Sequence, residues 1–293
     1  MTSQDIPTHH AASIRDLRHL RDDATPQSQF RLWEDPAKKL SCYYAPFDYV
    51  NAHARLILVG ITPGRTQMNR ALNAARLALS AGTSMSEAVR KVKREGSFSG
   101  AMRSNIVNTL NRLGYHTKLG VTCASQLWGT DDHLVHFCSL LKYPVFLAGN
   151  DYNGKPKAHK DVNLHKMLLE GFAADLKLLP RDAILLPLGE TVLESIVALK
   201  SAGHVPQDLL SFEGKYVAPP HPSGANAESI ALLLEPKYLS GAEYANRMYL
   251  EYMERKPWMR KSGGKPQAEE KYKAVRLSRW ASMLFVRRAY GLS

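Results

Sequence analysis

Cysteine is scarce in this chain. The three in 293 residues, Cys42, Cys123 and Cys138, make no disulfide framework and point to a reducing compartment. Long apolar runs are missing too: no stretch approaches the roughly 18–20 uninterrupted apolar residues of a membrane span. The opening "MTSQDIPTHH" lacks a basic segment followed by an apolar one, so no secretory leader is expected there. No internal repeat or low-complexity block interrupts the sequence. These absences together set the expectation of a soluble, cytoplasmic protein with no membrane span. Acidic residues are also in short supply, 27 against 39 Lys and Arg, leaving a net charge of +12. Such an excess favours a polyanionic partner, either nucleic acid or an anionic surface.

The charge is concentrated. From Lys237 to Ser293 there are 13 Lys and Arg against 5 Asp and Glu, +8 of the +12. Tyr238, Tyr244, Tyr249, Tyr252, Trp258, Tyr272 and Trp280 interleave with them. Basic groups for phosphates with rings for bases suit a DNA partner. The alternative is a solvated basic helix pair whose aromatics pack on the core. Over Glu270–Tyr290, Ala274, Leu277, Ala281 and Leu284 share one helical face, while Lys273, Arg276, Arg279 and Arg287 share another. The first face is expected to dock and the second to track phosphates.

What the middle of the chain holds is an alternation of short apolar runs and helical periodicity. "RLILVG", "HLVHFCSLL", "AILLPLG" and "KYVAP" read as four strands. "NRALNAARLALSAG", "EAVRKVKREG" with the capping pair Ser84 and Glu87, "SGAMRSNIVNTLNRLGY", "NLHKMLLEGFAADLKLL" and "TVLESIVALKSAG" read as helices. "SIRDLRHLRDD" reads as a short helix, and "KYPVFLAGNDYNGKPKAH" as a long irregular loop. The alternation predicts an α/β fold, a three-layer α/β/α domain around a four-stranded parallel sheet. Its expected limits are 41–235, with a helical extension at 1–40 and a basic, aromatic-rich helical extension at 236–293 packed on the same domain.

Ligands in such sheets bind beyond the carboxyl ends of the strands. Two unusual stretches fall there. "GITPG" (Gly60–Gly64) ends the first strand but lacks both the GK[ST] of a phosphate loop and the glycine spacing of a dinucleotide fingerprint. Pro63 fixes φ and Gly64 permits close approach, so the turn can present Thr62 and free N–H groups to a ligand. "HPSGAN" (His221–Asn226) follows the last strand. His221 can donate to an oxygen that becomes anionic, and Pro222 and Ser223 stiffen a loop that offers donors to a phosphate.

A Gly-x-x-Pro-Gly turn after the first strand, paired with His-Pro-Ser after the last, resembles the uracil-DNA glycosylase superfamily. "GSFSGAMRSNIVNTLNRLGY" is similar to that superfamily's Gly-x-Phe-x-Gly segment, "FCSLLKYPV" to its second-strand segment, and "ILLPLGETVLESI" to the strand and helix before its last motif. The resemblance runs from about Arg55 to Asn226. It implies a uracil-DNA glycosylase-like fold acting on DNA, single- or double-stranded, with Phe98 stacking on an extruded base and Ser139 reading its edge. Gly60, Ile61, Pro63 and Gly64 complete the substrate pocket, and Pro222, Ser223, Gly224, Ala225 and Asn226 complete the DNA contact. His221 would stabilise the anionic leaving base, while the first-motif turn holds the attacking water.

Three positions depart from the pattern. Thr62 stands where several branches carry Asp or Asn, and a hydroxyl is no base near neutral pH. Either Thr62 positions water or a carboxylate from elsewhere acts, with Asp151 in "GNDYNG" and Asp48 in "PFDYV" as candidates. Ser139 replaces Asn and leaves space for a larger pyrimidine. Ala225 replaces the wedge Leu, which suits bases that flip easily. The cysteines do not match the iron–sulfur branch, and Tyr143 stands where one ligand would fall. No cofactor, metal or cluster is therefore expected; a zinc site on His133, His136 and Cys138 lacks the usual spacing. The expected protein is a monomeric, monofunctional DNA glycosylase removing a modified or damaged pyrimidine, bulky phage-type ones included, in repair or in antiviral defence. A non-catalytic module binding modified or uracil-containing DNA is the alternative. A nucleoside hydrolase is a third reading, against which the basic, aromatic carboxyl-terminal region stands.

Overall fold

The computed structural model describes residues 6–235, 240–255 and 266–292. Lys237, Tyr238 and Trp258 of the basic aromatic segment lie outside the described residues. The chain opens with α1 (Thr8–Arg15), β1 (Arg31–Asp35) and β2 (Leu40–Tyr43). Next come β3 (Leu56–Gly60), α2 (Arg65–Ser80), α3 (Met85–Gly96), α4 (Ala101–Arg112) and the short α5 (Tyr115–Leu119). Three strands follow, β4 (Val135–Ser139), β5 (Val145–Leu147) and β6 (Asn150–Asp151). A helical run then comprises α6 (Val162–Met167), a π-helical stretch (Leu168–Ala173) and α7 (Ala174–Leu176). β7 (Ile184–Pro187), α8 (Glu190–Ser201), β8 (Ser211–Phe212) and β9 (Lys215–Tyr216) lead to α9 (Ala227–Leu234), α10 (Gly241–Arg255) and α11 (Pro266–Ala289).

The apolar run Leu56–Gly60 forms the central strand, and every residue of it is buried. It pairs in parallel with β4 on one side, Gly60 opposite Ser139, and with β7 on the other. Alternation sorts the strand side chains into two cores. Ile57, Val59 and Leu185 pack with Leu164, Phe172 and Ile196 of the helices on one face. Leu56, Leu58, Phe137 and Leu186 pack with Ile106, Leu110 and Leu233 on the other. A strand buried on both faces has no polar side to show, which is why its sequence reads as a continuous apolar run.

The mixed α/β reading holds, with three corrections. The parallel sheet has three strands among the described residues. The expected fourth strand, "KYVAP", begins instead as β9, pairing antiparallel with β8. The chain then runs beside the end of β7, where Gly189 N donates to Pro219 O at 2.9 Å. The expected long loop after β4 contains β5 and β6, which join β1 and β2 in a separate antiparallel sheet of order β1-β2-β5-β6. Helix α1 stops at Arg15, before most of "SIRDLRHLRDD". Beyond it, Asn73 holds the chain extended: its Oδ1 accepts from Leu20 N and its Nδ2 donates to Leu20 O.

The carboxyl-terminal helix forms, but its faces are reversed. Ala274, Leu277 and Ala281 are exposed, whereas the arginines turn inward. Arg276 and Arg279 both pair with Glu228 of α9, the former at 2.6 Å. Arg287 is 2% exposed and donates to Leu233 O at 2.6 Å. Lys273 pairs within the helix with Glu269. Aliphatic arginine stems pack as apolar surface, and their heads find an acceptor far away in sequence. All four side chains have partners within the protein.

Among the described residues, no helix is long and apolar enough to cross a membrane.

Candidate functional site

The carboxyl ends of β3, β4 and β7 lie on one edge, and the two singled-out loops leave from it. "GITPG" is held from both sides. Leu140 N and Leu141 N donate to Gly60 O and Ile61 O at 2.9 and 3.0 Å, while Leu188 N donates to Val59 O at 2.9 Å. Gly60 has a specific reason to be glycine: a Cβ there would sit 2.9 Å from the Phe98 ring and 3.6 Å from Ser139 Oγ. Gly60, Phe98 and Ser139 therefore meet at one point. Phe98 is buried, holds a left-handed backbone (φ 51°), and meets the Phe137 ring edge-on at 6.1 Å. A bulky residue in that region is costly and is held only by its surroundings.

Phe98 and Ser139 line a small cavity with Phe47, Pro63, Gln67, Lys93, Lys142 and Asp175. Its volume is about 10 Å³, close to the space one water needs. Anything larger than a water enters only if the aromatic wall moves. Its floor is polar and buried. Lys142 Nζ donates to Asp175 Oδ1 at 2.8 Å, and Lys93 Nζ donates to Phe47 O at 2.8 Å. Burial pushes the Lys93 ammonium down to about 8.

Thr62 lies in the turn with its hydroxyl committed. Oγ1 donates to Tyr143 O at 3.0 Å and accepts from Val145 N at 3.2 Å. It stitches the turn to β5. Thr62→Ala should therefore cost about 1–3 kcal/mol of stability, since Val145 N is left buried without an acceptor. Thr62→Ser should restore it. Melting temperatures of the two variants, set beside any activity found, separate this brace from a water-positioning hydroxyl, which would lose rate without losing stability.

The carboxylate beside the turn is Asp151. β6 delivers it to the start of α2, where its Oδ1 accepts from Arg65 N at 2.9 Å. A Cβ on Gly64 would lie 2.6 Å from its Oδ2, so only glycine lets the two approach. Asp151 is exposed. Asp48, the other carboxylate raised from the sequence, is buried and accepts from the Tyr44 and Tyr143 hydroxyls at 2.9 and 2.5 Å. Burial raises its pKa. It is a structural acid.

His221 stands beyond β7. Gly189, at φ 96°, packs under its backbone, where a Cβ would meet His221 Cβ at 2.8 Å. Ser223 N donates to His221 Nδ1 at 3.3 Å, which leaves the proton on Nε2. Burial lowers the imidazole's pKa, so it stays neutral at pH 7 and still donates. Asn105 of α4 donates to Pro222 O at 2.8 Å, and Asn226 Nδ2 to Ser223 Oγ at 3.1 Å. Gly224 and Ala225 remain exposed at the rim.

The structure thus gathers Pro63, Phe98 and Ser139 around one cavity, with Gly60 against Phe98 and Ser139. Asp151 sits against Gly64, and His221 stands two strand positions away from β3 along the same edge. Lys273, Arg276, Arg279 and Arg287 lie on α11, paired within the protein. His136 and Cys138 face the interior: Asn51 N donates to His136 Nδ1 at 3.4 Å, and Cys138 Sγ lies 3.5 Å from Leu58 O. Lys93, Gln67 and Asp175 were not expected at the site. The signal for Lys93 was its place on the apolar stripe Ala88, Val89, Val92, Gly96 of α3.

No protein-family profile matches the chain, and no solved structure matches it either. It is 34% identical to the uncharacterized protein YoxB of Bacillus subtilis (strain 168) over 206 residues, 69% of this chain and 77% of that protein. At that identity and coverage, the chain belongs to the YoxB family.

Proposed function

We propose that this protein is a DNA glycosylase of the uracil-DNA glycosylase kind, hydrolysing the bond between a flipped-out pyrimidine and its sugar. The observation that carries the reading is the hydrogen bond from Ser223 N to His221 Nδ1, which favours the Nε2–H tautomer. With Nδ1 accepting from a backbone N–H, Nε2 is left as the donor, on the same sheet edge as the aromatic-walled cavity and suited to an oxygen on which charge develops as the base departs. Phe98 supplies the stacking face, Ser139 a hydroxyl for the base edge, and Asp151 the carboxylate for water on the other side of the sugar. In this reading Val217–Pro220 takes the place of the fourth parallel strand. The Ser223–Asn226 rim, rather than the α11 arginines, meets phosphates. A monomer working on cellular or invading DNA needs nothing further from the fold.

Incubating the protein with single- and double-stranded oligonucleotides bearing normal, oxidised, halogenated and bulky pyrimidines, then cleaving with alkali, tests this directly. Strand scission at one class of base is the expected result. The second reading is a module that binds such DNA without cutting it, favoured by the committed Thr62 hydroxyl. Retention of one modified DNA in a gel shift, with no scission for any base, would establish that reading instead.

A further inference from the structure

Lys93 has a role that the motifs do not cover. It lies on α3, is 5% exposed, and lines the same cavity as Phe98 and Ser139. An ammonium carries three N–H donors and no acceptor. Among the described residues its one hydrogen-bond acceptor is Phe47 O, and the Phe47 ring lies 5.9 Å from Nζ. The neighbouring charges are already matched: Asp175 is paired with Lys142, and Asp48 is held by two tyrosine hydroxyls. Neither carboxylate forms an ion pair with Lys93. Gln67 adds to the same polarity, because its Oε1 accepts from Phe98 N at 3.4 Å and its amide N–H groups remain for a ligand. The floor of the cavity is therefore rich in donors, and one of them is a cation.

We propose that Lys93 is the specificity-determining residue of this pocket and that it selects electron-poor pyrimidines, those whose ring N–H is acidic enough to be lost on binding. The inference rests on the glycosylase reading for the identity of the ligand as a base. A cation favours a ring anion whichever edge is turned toward it, so no particular pose is needed. A hydrogen bond between ionised partners is about twice as strong as a neutral one, and a buried site screens it little. The ring N–H proton leaves to solvent, and the ring anion takes the place of the missing acceptor at Nζ. The groups facing Lys93 are Asp175, Cys138, Lys142, Asp48 and the buried His136, with desolvation as the larger influence on its proton. Its ammonium is still mostly protonated at pH 7. A polar substituent that acidifies the ring thus improves binding, whereas one that only adds bulk does not.

Binding of free bases tests this without requiring cleavage. Uracil, 5-fluorouracil and 5-methyluracil form the series: fluorine acidifies the ring at almost the size of hydrogen, and methyl adds size without acidity. Affinities for the full chain and for Lys93→Met, measured by ligand-observed NMR at pH 7.5, give the comparison. The expected result is about tenfold tighter binding of 5-fluorouracil than of uracil by the wild type. 5-Methyluracil should gain nothing, and Lys93→Met should bind all three within about twofold. Lys93→Arg keeps the charge and should keep the order, and melting curves of both variants verify the fold. Equal affinities in the wild type, a preference that survives Lys93→Met, or no binding of any base would each overturn the proposal. If the order appears but no oligonucleotide is cut, the glycosylase reading fails and this one stands. If DNA is cut and the order is flat, only this one fails.

Discussion

His221→Ala should lower the single-turnover rate of base removal by about 10²–10³, the usual loss for one donor aimed at a developing oxyanion. Secondary structure by circular dichroism should not change. The loop around His221 is tied at points the imidazole does not supply: Asn105 grips Pro222 O, Gly189 N holds Pro219 O, and Asn226 bonds Ser223. His221→Gln offers a control, since its amide can still donate and should recover part of the rate. A variant as fast as the wild type would remove His221 from the chemistry and with it the main support for excision.

The second large effect should come from Asp151→Asn, with an expected fall of about 10²–10⁴ in rate, the range for a positioned general base. Asparagine separates the two roles of this side chain. Its Oδ1 can still accept from Arg65 N, so α2 keeps its cap, but it cannot take a proton from water. Asp151→Ala should lose the same rate and also about 1 kcal/mol of stability, as removal of a helix cap does. Full activity in Asp151→Asn would reduce the carboxylate to a cap and leave water activation without a base. Asp48 could not replace it, buried beneath two tyrosine hydroxyls.

The parallel strands were legible because burial on both faces forces long apolar runs, as at Leu56–Val59 and Val135–Phe137. The antiparallel sheet was not, for reasons of length and polarity. β5 has three residues, β6 has two exposed polar ones, and the hairpin between them turns on Ala148 and Gly149, both at positive φ. That "AG" pair between short runs was the available hint. Missing the hairpin hid the path by which Asp151 reaches the first-strand turn, although the residue itself was named. The reversed faces of α11 have a different cause. Counting Ala and Leu as the docking surface ignored that Arg276, Arg279 and Arg287 can bury long stems once an acidic partner is present, and Glu228 lies some fifty positions earlier. Lys93 is masked by its charged neighbours: a lysine in a charged helix reads as solvated unless its register is followed onto the apolar stripe.

The pairing of Glu228 alters what kind of object the carboxyl-terminal segment is. Glu228 sits in the first turn of α9, two residues beyond the end of the His221 loop. It is bound by Arg276, Arg279 and the Tyr244 hydroxyl, while Arg287 clasps the other end of the same helix at Leu233 O. A chain cut at residue 235 would retain every side chain assigned to the pocket, the turn and the loop. It would nonetheless strip α9 of its outer clamps at both ends, stranding a partly buried carboxylate and freeing the helix that anchors the loop. The final helices are better regarded as the back wall of the candidate site than as a tail, and trimming them amounts to a mutation in the loop.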